Sequence, residues 1–183
     1  RRALRPAFSV ARRAGARVVL VGACPPEQAT AVEASLQDAG ERFRALAPFD
    51  VEVAHGSPAD AVLGCTPPGE ALICLSTHAR RAVSRLVLGS VAEELVRRST
   101  RPVLCLGPAA TEVFLPDERV DGLVCTDDSA ATDVVVDHAA AFADRIGASC
   151  SVIQVVGPDE DVALDGGPTP RPLREQAERH GRE

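Results

Sequence analysis

The chain contains no tryptophan, no tyrosine and no lysine, and aromatic residues make up only 3% of it. With five phenylalanines as the whole aromatic complement, the core has to be built from Val, Leu, Ala and Ile, and no platform exists on which single-stranded nucleic acid could stack. A basic excess is missing as well. The formal net charge is −6, whereas nucleic-acid-binding surfaces gain most of their affinity by neutralising phosphates, so a nucleic-acid partner is excluded. No apolar run reaches the roughly 20 residues of a membrane span, and no charged-then-apolar-then-small-residue signal opens the chain. The expectation is a cytoplasmic protein without a membrane partner. The six cysteines, Cys24, Cys65, Cys74, Cys105, Cys125 and Cys150, form no CxxC pair and lie mostly in or beside apolar runs; they are expected to be buried small hydrophobes. His55, His78, His138 and His180 share no metal-ligand spacing and accompany no G-x-S-x-G nucleophile motif, so neither a metal site nor a catalytic constellation is expected.

What the chain does contain is two alternating apolar patterns. Residues 3–14 and 27–46 carry Ala, Leu, Val and Phe at helical spacing, whereas VVLVGAC (18–24), ALICLS (71–76) and PVLCLG (102–107) are short, nearly continuous apolar runs. Such runs suit strands buried on both faces, and their alternation with helices predicts an α/β fold with a doubly wound parallel sheet of the Rossmann type. An internal echo sharpens this reading: Ala11-Arg12-Arg13-Ala14-Gly15-Ala16 recurs as Ala143-Asp144-Arg145-Ile146-Gly147-Ala148, and a strand follows each (18–24 and 151–156). At both places a helix ends on Gly, where the left-handed C-cap costs nothing. The sequence therefore divides into copy one at 1–107, a Pro-bearing linker at 108–120 and copy two at 121–183. Copy two opens on a strand and an Asp-rich turn (123–129), and no equivalent strand opens copy one. Two incomplete tandem copies are expected, the first short of its opening strand and the second of everything past its second strand and helix. The strand around 122–126 is expected to dock into the resulting gap in copy one.

Gly56-Ser57-Pro58-Ala59-Asp60 reads as a helix start with Ser57 at the N-cap, Pro58 at the first helical position and an acid at the third. Further on, Gly89-Ser90 stands at another helix start, and Ser90-Val91-Ala92-Glu93 matches the S-x-x-E capping box. The first turn of such a helix offers unpaired N–H groups at the positive end of its dipole, which suits an anion as well as a cap. Arg80, Arg81 and Arg85 lie in or beside the preceding loop, so the local potential is positive in an acidic chain; pairing of these arginines with Glu93 and Glu94 is the plain alternative.

The stretch ALICLSTHARRAVSRLVLGSVAEELVRRSTRPVLCL (71–106) resembles the universal stress protein family, whose phosphate-cradling loop follows the pattern G-x-x-G-x9-G-[S/T]. The matching positions are Ser76, Ala79, Gly89 and Ser90, with Thr77 and His78 between the first two and Arg80 after them. GSPADAVL (56–63) and Val124-Cys125-Thr126-Asp127-Asp128-Ser129 extend the likeness. The resemblance implies a stress-response sensor or regulatory module that binds an adenine nucleotide, ATP with Mg²⁺ allowed beside it. The phosphates would lie on the loop and a first-strand carboxylate, here Asp127, would hold the nucleoside half. It further implies self-association or tandem-domain pairing through the edge strand at 102–106, and no catalysis beyond incidental ATP hydrolysis. Two departures stand against the nucleotide: Ser76 and Ala79 occupy positions where the family has glycine. A Cβ at a positive-φ site costs about 1 kcal/mol or more, and even a methyl intrudes where phosphate touches backbone. Two other readings stay open, an interaction module of the same fold without nucleotide and an adenylating enzyme of a related α/β class. The latter's S-G-G-x-D-S-like loop has only Thr126-Asp127-Asp128-Ser129 as a counterpart.

Overall fold

The apolar periodicities become elements much as their spacing dictates. In the computed structural model, which describes residues 2–77, 89–107, 121–126 and 132–154, the chain forms two compact units, Arg1–Glu118 and Arg119–Glu183. Unit 1 opens with helix α1 (Leu4–Ala14), which ends on Gly15 at φ 62°; the Gly15 N–H reaches the Ala11 and Arg12 carbonyls, and Ala16 N–H donates to Ala11 O at 2.8 Å. This left-handed cap turns the chain directly into strand β1 (Val18–Ala23). After Pro25 a short 3₁₀ turn leads into α2 (Ala29–Glu41), and then come β2 (Phe49–Ala54), α3 (Pro58–Cys65), β3 (Ile73–Ser76), α4 (Ser90–Arg98) and β4 (Val103–Leu106). The strand at 49–54 is an addition to the sequence reading. Unit 2 consists of β5 (Asp121–Thr126), α5 (Thr132–Ile146) and β6 (Ser149–Gln154).

All strand pairing among the described residues is parallel. β1 runs with β2 from Val18↔Phe49 to Ala23↔Ala54, β3 with β4 from Ile73↔Val103 to Ser76↔Leu106, and β5 with β6 from Asp121↔Ser149 to Thr126↔Gln154. Parallel strands joined through helices are the expected α/β arrangement. Two expectations are corrected. The strand at 121–126 pairs with 149–154 and not with copy one, because the intervening α5 makes the pair a local strand–helix–strand unit. The strands are also not buried on both faces: most of their residues are only half-buried, since each pair leaves two edges without a neighbour among the described residues.

Unit 1 buries two apolar clusters. On one side Phe8 and Ala11 of α1 meet Leu20 of β1, Phe49 of β2 and Ala47, with Phe43 stacked on Phe8 at 5.4 Å between ring centroids. Gly40 of α2 is obligatory there, because a Cβ would enter the Phe49 ring. On the other side Ala59 of α3 and Leu95 of α4 pack on Ile73 of β3, with Val103 of β4 beside them. Unit 2 is covered more thinly. Val124, Ala143 and Ile146 are buried, but Leu123 is 61% and Ile153 46% exposed. The cysteines follow this difference: Cys24 is buried and Cys65, Cys74 and Cys105 are half-buried, whereas Cys125 and Cys150 of unit 2 are exposed, against the expectation for all six.

Candidate functional site

The candidate site lies where β3 hands over to α4. Because β4 runs parallel to β3, the helix between them runs back along the pair, so the first turn of α4 stands at the carboxyl end of β3, the edge at which open α/β sheets hold ligands. Leu95 and Val91 seat the helix on Ile73 and Leu75. The expected box at Ser90 does not form: the helix starts at Ser90 itself, its N-cap is Gly89 in extended conformation (φ −61°, ψ 153°), and no side chain caps it. Glu93 N–H closes the first turn on the Gly89 carbonyl at 3.0 Å. A shift of one residue puts Ser90 inside the helix, where its side chain is exposed and cannot reach back to the N3 amide.

Ser76 is the last residue of β3, half-buried, in register with Leu106. Thr77 donates twice to one acceptor, its N–H at 2.9 Å and its hydroxyl at 3.2 Å to the Leu106 carbonyl. Its polar groups thus extend the strand ladder and are turned to the protein. His78, Ala79, Arg80 and Asp127 lie outside the described residues, as do Arg81 and Arg85. Glu94 is occupied by Arg98 at 2.5 Å, one turn on in its own helix.

The helix start at Ser57 forms as read. Asp60 N–H donates to the Ser57 hydroxyl oxygen at 3.1 Å, and that hydroxyl donates to the Asp60 carboxylate at 2.7 Å. One contact has no signal in the sequence: Arg98, at the far end of α4, reaches Asp60 at 2.7 Å and joins Ser57, Asp60 and Glu94 into one exposed clamp between α3 and α4. The Ser57 hydroxyl, and after it the Arg98 guanidinium, hold the Asp60 carboxyl below its usual range. His55 follows β2, exposed, with Nδ1 2.8 Å from the Cys24 carbonyl; since a carbonyl only accepts, Nδ1 is the donor of that bond. Among the described residues no group of His, Cys, Asp or Glu could hold a metal ion, and no helix is long and apolar enough to cross a membrane.

This order of elements, ending in an uncapped Gly-Ser helix start and a Pro-Val-Leu strand, agrees with one family profile, that of the universal stress protein family, which matches residues 1–107. The chain belongs to the universal stress protein family. Membership supports a stress-response module with the α/β fold described above. A universal stress protein of Mycolicibacterium smegmatis is 32% identical over 77 residues, which are 42% of this chain and 56% of that one, so the chain spans little more than half of that universal stress protein. The solved universal stress protein of Archaeoglobus fulgidus is 23% identical, with 57% of this chain and 86% of that one covered at a TM-score of 0.47.

Proposed function

We propose that this universal stress protein chain is a regulatory, non-catalytic stress-response module that binds an adenine nucleotide, ATP with Mg²⁺ beside it. The observation that carries the reading is the start of α4: a helix of nine residues at the carboxyl end of β3 whose first-turn amides have no side-chain cap. Glycine at the N-cap lets a phosphate oxygen approach the backbone, and the helix dipole adds to the attraction. Gly89 and Ser90 would hold the phosphates, with Ser76, Thr77, His78, Ala79 and the cationic Arg80 forming the loop before them; in unit 2 the carboxylate matching the family's nucleoside contact is Asp127. In this reading binding is the whole of the activity, and any ATP hydrolysis would be incidental. The matching Gly15 and Gly147 caps support a tandem arrangement, and the uncharged outer edge of β4 supports self-association through 102–106 in a cytoplasmic protein.

Fit to the nucleotide is uneven. Gly89 and Ser90 suit a phosphate; Ser76 carries a Cβ where the family has glycine, and the Thr77 hydroxyl is engaged with Leu106. That engagement favours the second reading, an interaction module without nucleotide. Calorimetric titration of the chain with MgATP separates the two. Binding should stabilise the fold by about 2.7 kcal/mol at a hundredfold excess over Kd, and Ser90→Glu should abolish both heat and stabilisation by placing a carboxylate where the anion sits. No heat and no thermal shift at millimolar ATP would leave the interaction module as the reading.

A further inference from the structure

The exposed hydroxyls of unit 1 stand in different electrostatic surroundings. Thr30 and Ser35 belong to the interior of α2, where the charges nearest in sequence are Glu27, Glu33 and Asp38. Thr100 lies instead in the short turn between α4 and β4, exposed, with Arg97 and Arg98 before it and Arg101 after it. Its neighbour builds that turn. Ser99 ends the helix in extended conformation (φ −75°, ψ 136°), and its N–H donates to the Leu95 carbonyl at 2.9 Å. The Ser99 hydroxyl donates to the Arg101 carbonyl and accepts from the Arg101 N–H, each at 2.9 Å. That oxygen is engaged and half-buried, whereas the Thr100 hydroxyl has no hydrogen bond among the described residues.

The turn is also easy to open. Pro102 has no N–H, and its carbonyl joins the sheet by accepting from Ile73 N–H at 3.0 Å. Extending residues 97–101 therefore gives up the bonds of Ser99 and Arg101 and frays the last turn of α4, while the apolar cluster around Ile73 and Leu95 can stay in place. The three arginines differ in what they already hold. Arg98 is shared between Glu94 at 2.5 Å and Asp60 at 2.7 Å, whereas Arg97 and Arg101 form no ion pair among the described residues.

We propose that Thr100 is a phosphorylation site, modified by a serine/threonine protein kinase whose acidic substrate groove binds Arg97 and Arg98. The donor is MgATP held by the kinase, so nothing here rests on nucleotide binding at α4. A bond forms between Thr100 Oγ1 and the γ-phosphorus as the bond from that phosphorus to the β,γ-bridging oxygen breaks; ADP leaves, and the hydroxyl proton passes to a carboxylate of the kinase. The fold supplies the consequence. The new group carries about two negative charges at neutral pH and has three guanidinium groups within three residues of it. It also stands just past the last carbonyls of α4, the negative end of that helix, where a further anion is held only by cations. Arg98 turns from Asp60 to the phosphate, and the clamp between α3 and α4 opens.

The test uses the full chain, MgATP and, as the arginine-directed probe, the catalytic subunit of cyclic-AMP-dependent protein kinase, with the modified residue located by fragmentation mass spectrometry. Thr100 should carry the phosphoryl group and Thr100→Ser should remain a substrate, whereas Thr100→Val and Arg97→Ala should each lower incorporation at least about tenfold. Phosphorus NMR of the phosphorylated chain across pH then reads the arginines directly. A threonine phosphate takes up its second proton near about pH 6, and guanidinium groups beside it favour the dianion. The midpoint should therefore lie lower in the folded chain than in the same chain in urea, and Arg98→Ala should bring it back up. The proposal is overturned by phosphorylation confined to Ser99 or other residues, by incorporation with MgATP alone, by indifference to Arg97→Ala, or by equal midpoints in the folded and unfolded chain. None of these outcomes bears on whether ATP binds at α4.

Discussion

The two units repeat one turn of chain in different surroundings. In unit 1 the helix before the Gly cap carries Phe8, wholly buried against Phe43 and Phe49; at the same place in the repeat, Ala140 of α5 is exposed. Within unit 1, β1 has α3 against it as well as α1 and α2, whereas within unit 2 the described helix against β5 and β6 is α5. The same cap therefore needs no particular core around it. It is encoded by one glycine and a few neighbouring main-chain groups, while burial depends on what else the chain brings to the strand.

The comparison breaks most readily at Phe8. Phe8→Ala should cost unit 1 about 3–5 kcal/mol, measured by denaturant unfolding, because its neighbours cannot collapse into the space. A loss under about 1 kcal/mol would mean that unit 1 is no better packed than unit 2. Next in size is thiol reactivity. Burial, and after it the nearby Cys105 sulfur, push the Cys74 thiol up to about 11. Near pH 8, Cys74 should therefore alkylate about a hundredfold more slowly than a thiol at the ordinary 9.0, since the thiolate is the reacting species. The sign also predicts that Cys74 contributes stability that is present below its ordinary 9.0 and lost as pH climbs toward 11.

A smaller effect tests the likeness itself. Gly15→Ala and Gly147→Ala should each destabilise by about 1 kcal/mol, since φ is positive at both while open space leaves no clash to add. Clearly unequal losses, read by exchange of the capped helix ends, would show that the caps only look alike. The smallest effect belongs to the α3–α4 clamp, which has no counterpart among the described residues of unit 2. The Asp60 carboxyl is held below its ordinary 3.8, so its contribution is present above that value and disappears as pH falls through the lower, folded one. Urea melts of wild type and Ser57→Ala should differ less at pH 3 than at pH 5, the part that remains being the cap bond from the Asp60 N–H.

Much of this was legible in advance where the signal is local. The helix start at Ser57-Pro58, the glycine caps and the apolar strands each need only a few consecutive residues. Phe49-Asp50-Val51-Glu52-Val53 alternates apolar with charged residues and could have been read as β2 by the same logic. The α4 start was placed one residue late, because Ser-x-x-Glu and Gly-Ser compete for the cap and the chain uses the glycine. Thr77's two hydrogen bonds to the Leu106 carbonyl and Arg98's reach to Asp60 were not legible. Each joins residues tens of positions apart, and spacing along a chain does not record such distances.

By itself the amino-acid sequence determined the alternation of helices and parallel strands, the left-handed turns at Gly15 and Gly147, and the likeness to the universal stress protein family, all of which depend on short-range periodicity and the conformational freedom of single residues. Tertiary structure alone decided which strand edges are satisfied, which cysteines meet solvent and whether the first turn of α4 keeps its amides uncapped, because those outcomes depend on how distant segments compete for the same buried space and the same main-chain hydrogen bonds.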